Sequence, residues 1–165
     1  MRKSAHVTTV TMSPAVESVQ RVCLNVEASD KVVLLDNASE GSVFKDEELL
    51  TNIRKASVNC TFSGVGAGGI LSTMVGDFGD FGEVYYHPDS PANIISWGEI
   101  FERHRGDEHF DIGFDSAMNH FFVKLRGKSY VFESVTKGLY GLVVKSSKVN
   151  AIASSVVTGT GQRNM

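Results

Sequence analysis

The sequence predicts a mainly β fold: a small closed or nearly closed β-barrel of about seven short strands, with one short amphipathic helix. Three observations carry that prediction. Apolar residues run together briefly or alternate, and each run is stopped by turn residues, as buried and half-buried strands require. Sixteen glycines and ten phenylalanines against three prolines favour turns and strands over a helical bundle. Only residues 46–55 order both charge and apolar positions as a helix does, with acids first and bases last.

With 165 residues, 42% hydrophobic and 21% charged, the chain suits one globular domain over residues 17–144. Residues 1–16 are Ser/Thr-rich and aperiodic and are expected as a disordered lead-in; residues 145–165 are small and polar and are expected as a loose tail. The net charge is −3 with scattered Lys and Arg, so no basic face for nucleic acid is advertised. No run is long enough for a membrane span, and Val7-Thr8-Thr9-Val10-Thr11 is too polar for a signal-peptide core, so an intracellular, cytoplasmic location is expected. Cys23 and Cys60 then read as small buried hydrophobes in a reducing compartment, and the sequons at Asn37 and Asn59 as chance matches.

In chain order, residues 19–26 read as one half-buried strand, with Val22, Leu24 and Val26 alternating, and Val32-Val33-Leu34-Leu35 reads as a strand buried on both faces. That second strand delivers Asp36 into the polar turn Asn37-Ala38-Ser39, where the acid is either a turn cap or a reactive group. The helix of residues 46–55 follows. Residues 58–62 and 70–75 are strands joined by a glycine-rich tip, and residues 82–87 form another. A helical turn or two is expected within residues 92–103. Strands at 110–115, 121–125, 130–132 and 138–144 complete the domain.

Several motifs dissolve in context. Gly64-Val65-Gly66-Ala67-Gly68-Gly69 spells a dinucleotide fingerprint, but a strand-like segment follows where a helix must open, so it reads as a hairpin tip and no cofactor is expected. Asp77-Phe78-Gly79 and Asp80-Phe81-Gly82 spell the kinase metal-binding triplet without the rest of a kinase. His87, His104 and His109 match no metal-ligand spacing, so no metal is expected. Ser39 and Ser42 lack the Gly-x-Ser-x-Gly elbow of a hydrolase. Asp111-Ile112-Gly113 reads as a strand residue rather than a second catalytic acid.

Ordered segments nevertheless resemble one family. Leu34-Leu35-Asp36-Asn37, then Ser42-Val43-Phe44, Glu48 to Arg54, Ser63 to Gly66, Gly82 to Pro88, Ala92 to Ser96 and Gly138-Leu139-Tyr140 are similar to the protease region of copia-type retrotransposon Gag-Pol polyproteins, over about residues 31–141. The resemblance implies a retropepsin-like β-barrel, an aspartic endopeptidase that cleaves its own polyprotein as a homodimer with one Asp per chain. It makes Asp36 the catalytic acid and Asn37, Ala38 and Ser39 its turn. Gly64, Val65, Gly66, Gly68 and Gly69 become a flap-like hairpin, and Asn93, Ile94, Ile95 and Ser96 a structural segment beneath the site. The implied partners are a second copy and a polyprotein peptide, with virus-like particles as the implied place of action. The chain departs from the pattern at Ala38, where the family commonly has Gly, and at Asn37, where a hydroxyl residue is frequent. A catalytically decayed barrel with a structural or interaction role is therefore the alternative. Residues 145–165 contain no Cys or His, so the zinc-binding region that usually follows is not in the sequence, as in a fragment or decayed copy.

Overall fold

The computed structural model describes residues 7–11, 30–64 and 67–145. Among them, eleven strands and one α-helix are formed: β1 (Val7–Thr11), β2 (Lys31–Asp36), β3 (Val43–Phe44), β4 (Thr51–Gly64), β5 (Ala67–Phe78), β6 (Gly82–Tyr86), β7 (Asn93–Ser96), α1 (Trp97–His104), β8 (Asp111–Asp115), β9 (His120–Leu125), β10 (Lys128–Thr136) and β11 (Leu139–Val144). The strands make one mixed sheet in the order β1-β4-β5-β6-β3-β7-β2-β11-β10-β9-β8. The mainly β class is as the composition requires. The sheet is open, however, with β1 and β8 as its two ends, where a closed or nearly closed barrel is expected from the sequence.

The open sheet curls strongly. Phe81, in the corner between β5 and β6, packs its ring 4.7 Å from Tyr130 and 6.4 Å from Phe132 on β10. Four strands, β3, β7, β2 and β11, stand between β6 and β10 in the sheet, so these contacts require the sheet to bend back over its own face. The bend encloses the larger of two apolar clusters.

β2 lies at the centre of this arrangement, and its apolar run explains why. It pairs in parallel with β7 on one side and antiparallel with β11 on the other. Because successive side chains point to opposite faces, Val33 and Leu35 enter the cluster with Phe44, Ile95 and Phe132, while Leu34 enters the second with Val43, Phe62, Ile94 and Leu139. A strand buried on both faces is what four consecutive apolar residues specify. Cys60 belongs to the second cluster, and burial pushes its thiol up to about 11; Cys23 lies outside the described residues.

Several expectations need correction. Residues 46–55 are not a helix: a 3-10 turn spans Glu47–Leu49, and β4 starts at Thr51. Asn52 adopts φ 52°, which stops helical propagation. The charges that suggest a helix dipole serve long-range pairs, Lys31 with Asp46 and Glu48, and Arg54 with Asp77 and Glu83. The α-helix is α1 instead. The two-residue β3 and four-residue β7 are too short to show a period. Val7–Thr11, within the expected lead-in, is a strand pairing in parallel with residues 59–63 of β4. The strand expected over residues 19–26 and the tail after residue 145 lie outside the described residues. No helix among the described residues is long and apolar enough to cross a membrane.

Candidate active site

Asp36 is the last residue of β2, and its position follows from how β7 is inserted. β7 runs parallel to β2 and antiparallel to β3, so it lies between the two. The chain leaving β2 must cross the C-terminal end of β7 before it returns as β3. Residues 37–42 make that crossing, directly over Ser96, where β7 ends and α1 begins.

The register aligns Val33 with Asn93, Leu34 with Ile94, Leu35 with Ile95 and Asp36 with Ser96. Segments about 60 positions apart in sequence thus become neighbours, and the acid turn and the Asn93–Ser96 segment form one unit. Asp36 is buried, at 6% exposure, and its Oδ1 accepts a hydrogen bond from Ala38 N at 2.8 Å. This is an Asx turn, in which the side chain replaces a backbone acceptor two residues on. The capping role open to Asp36 from sequence is therefore filled. Asn37 and Ala38 are exposed, and no residue from 36 to 39 has positive φ.

Ser39 is buried, and its Oγ donates to Gly41 O at 2.7 Å, shaping the loop from within. Ser96 Oγ donates to Ser39 O at 2.6 Å and accepts from Glu99 N at 3.1 Å, so one hydroxyl both caps α1 and pins the loop. Beneath, Asn93 uses its whole amide. Its Oδ1 accepts from Lys45 N and Asp46 N, each at 3.0 Å, and its Nδ2 donates to Val32 O at 3.1 Å and Asp46 Oδ2 at 2.8 Å. Ile94 and Ile95 fill the two apolar clusters from opposite faces of β7.

The glycine-rich segment forms the expected hairpin: β4 and β5 pair antiparallel up to Gly64 and Ala67. Val65 and Gly66 lie outside the described residues. A Cβ on Gly68 would meet nothing within 4 Å, while one on Gly69 would press on Thr61 and on Phe62 O at 3.2 and 3.3 Å. In the sheet the hairpin is separated from β2 by β6, β3 and β7, so the structure joins Asp36 to residues 93–96 by direct pairing and not to the hairpin.

Two residues of this site, Glu99 and Arg103, do not stand out from the sequence, and Ser42 does so there only in other roles. Ser42 N and Oγ both donate to Glu99 Oε2, and Arg103 bonds Glu99 Oε1. The spacing Ser96-Trp97-Gly98-Glu99 is a capping-box pattern, a signal that locates the helix start and its acid. Nothing local announces Ser42, whose partner is 57 positions away. His87, His104 and His109 do not converge, and among the described residues no group of three or more His, Cys, Asp or Glu is arranged to hold a metal. A scan against protein-family models, a search of curated proteins and a search of solved structures each find no match.

Proposed function

We propose that this chain is a retropepsin-like aspartic endopeptidase domain of a copia-type retrotransposon Gag-Pol polyprotein, with Asp36 as its half of a two-chain active site. The observation that carries the reading is the β2–β7 pairing, which sets Asp36 opposite Ser96 with Asn93, Ile94 and Ile95 alongside. The family resemblance implies this relation between an acid turn and a later segment packed under it.

The chemistry explains a single acid per chain. Peptide hydrolysis by aspartic proteases uses two carboxylates sharing one proton, one activating water and the other protonating the carbonyl oxygen. Two such groups about 3 Å apart cannot both ionise, so they titrate as a pair. A chain supplying one must meet its mate at a two-fold axis, and the exposed face at Asn37 and Ala38 is where that mate would approach. The β4–β5 hairpin serves as the cover that excludes water. A polyprotein junction peptide is the substrate, and the reaction belongs inside the cell, in virus-like particles.

The direct test is cleavage of a Gag-Pol junction peptide at acidic to neutral pH by the wild-type chain and by Asp36→Asn. Cleavage by the first and none by the second is expected. Equal inertness of both, in solutions where the protein is dimeric, excludes catalysis. A second reading, a barrel of the same descent without activity, is favoured by the exposed Cβ of Ala38 at the approach face. On that reading Ala38→Gly restores cleavage that the wild-type chain lacks, because glycine removes the obstructing atom.

A further inference from the structure

The loop that carries the chain from Asp36 to β3 is held at its far end by a residue of α1. Glu99 Oε2 accepts from Ser42 N at 3.0 Å and from Ser42 Oγ at 2.5 Å, the short range of a charge-assisted bond. A hydroxyl that donates in this way keeps its lone pairs for accepting, and Ser42 Oγ accepts from Ser96 N at 3.0 Å. Ser96 Oγ then donates to Ser39 O at 2.6 Å, three residues beyond Asp36 and one beyond Ala38, whose N–H closes the Asx turn. On the other side, Glu99 Oε1 accepts from Arg103 Nη2 at 2.9 Å, and Arg103 Nη1 donates to Phe81 O at 2.6 Å. The relay therefore runs from loop 36–42 through α1 to the corner at the foot of β5, the second strand of the glycine-rich hairpin.

A glutamate at this position of a capping box ordinarily reaches back to the backbone N–H of its own N-cap. Here Ser42 Oγ occupies the Ser96 N–H, and the glutamate is spent on Ser42. The cap has been extended by one hydroxyl so that it grips the acid's loop. We infer that Glu99 is a positioning residue for Asp36. Its carboxylate orients the Ser42 hydroxyl, Ser42 and Ser96 fix the loop, and Arg103 ties that pose to the hairpin's foot. This rests on the reading of Asp36 as half of a protease site, and it adds the group that sets the acid's pose.

The full chain, labelled with 15N, is compared as wild type, Ser42→Ala, Glu99→Ala and Glu99→Gln, by amide spectra and by cleavage of the junction peptide. Ser42→Ala removes one hydroxyl and breaks the relay at its middle. It is expected to speed exchange of the Ser96 amide about tenfold, to shift the Ala38 amide resonance, and to lower kcat about tenfold with KM within about twofold. Glu99→Ala reproduces the Ala38 shift, and Glu99→Gln, which keeps an oxygen for Ser42, restores it in large part. If Glu99→Ala does not fold, Ser42→Ala still decides. The inference is overturned if Ser42→Ala leaves both the Ala38 resonance and the Ser96 exchange unchanged, since a merely structural Glu99 alters stability without moving the turn. If the wild-type chain cleaves nothing, the protease reading fails alone, and the Ala38 resonance still answers for Glu99.

Discussion

Asn93 holds the ground on which Asp36 stands. Its buried amide makes four hydrogen bonds that tie β2, β7 and the turn after β3 together. Asn93→Asp keeps the shape but replaces two donors with an oxygen facing Val32 O and the Asp46 carboxylate. Buried acceptors left facing each other lose their bonds and gain repulsion, so a loss of about 3 kcal/mol is expected in a urea unfolding titration. A change below about 0.5 kcal/mol would mean that water already serves these groups. From sequence alone Asn93 belongs to the site only through the family resemblance. Its four bonds reach partners at least 47 positions away, and no local pattern encodes them.

Among the elements, the corner between β5 and β6 makes sense of the doubled Asp-Phe-Gly. Gly79 and Gly82 take positive φ, 47° and 88°, which a reversing chain needs and a Cβ resists. Phe78 and Phe81 stack at 5.3 Å and are buried, and Asp77 and Asp80 face outward to cationic partners. Hydrogen bonds from Lys128 at 2.8 Å and from the Tyr130 hydroxyl at 2.6 Å hold the Asp80 carboxyl below its usual range, and burial, with the same carboxylate second, pushes the Tyr130 phenol up. Since the folded-state pKa of Asp80 is depressed, its contribution is complete above the unfolded value of about 3.9 and is lost as pH falls through the folded value. Asp80→Asn is expected to cost about 1 kcal/mol at neutral pH, kept small because Lys128 is open to solvent. It should also flatten the acid limb of the thermal stability profile below pH 4, where a limb as steep as the wild type's would rule the clasp out. The corner's turn character was legible in the two glycines. That Asp80 reaches β10 was not, because it depends on the curl of the sheet. α1 illustrates the reverse error: its capping pattern is in the sequence, but residues 46–55 imitate a helix more convincingly. Long-range ion pairs and the positive φ of Asn52 overrule that imitation.

For the whole molecule, the proposed reading of one catalytic acid per chain makes activity a property of association. Specific activity per chain should rise with protein concentration and level off once the dimer predominates, and sedimentation equilibrium should give a dissociation constant that matches the midpoint. Asp36→Asn should still dimerise, since it removes the shared proton chemistry and leaves the rest of the interface. Specific activity that is flat across a thousandfold dilution, with the protein monomeric throughout, would exclude a site shared between two chains.

The sequence by itself determined the mainly β class, the double-sided burial of β2, the glycine-rich hairpin and the delivery of Asp36 into a turn. Each of these is written in local periodicity, turn chemistry or an apolar run, where the physical cause lies within a few residues. Only the tertiary structure decided that β7 lies between β2 and β3, that Ser42 and Glu99 grip the loop, that the sheet is open yet curled, and that residues 46–55 are not helical. Those outcomes depend on partners tens of positions apart, whose hydrogen bonds and apolar contacts form only after the strands have paired.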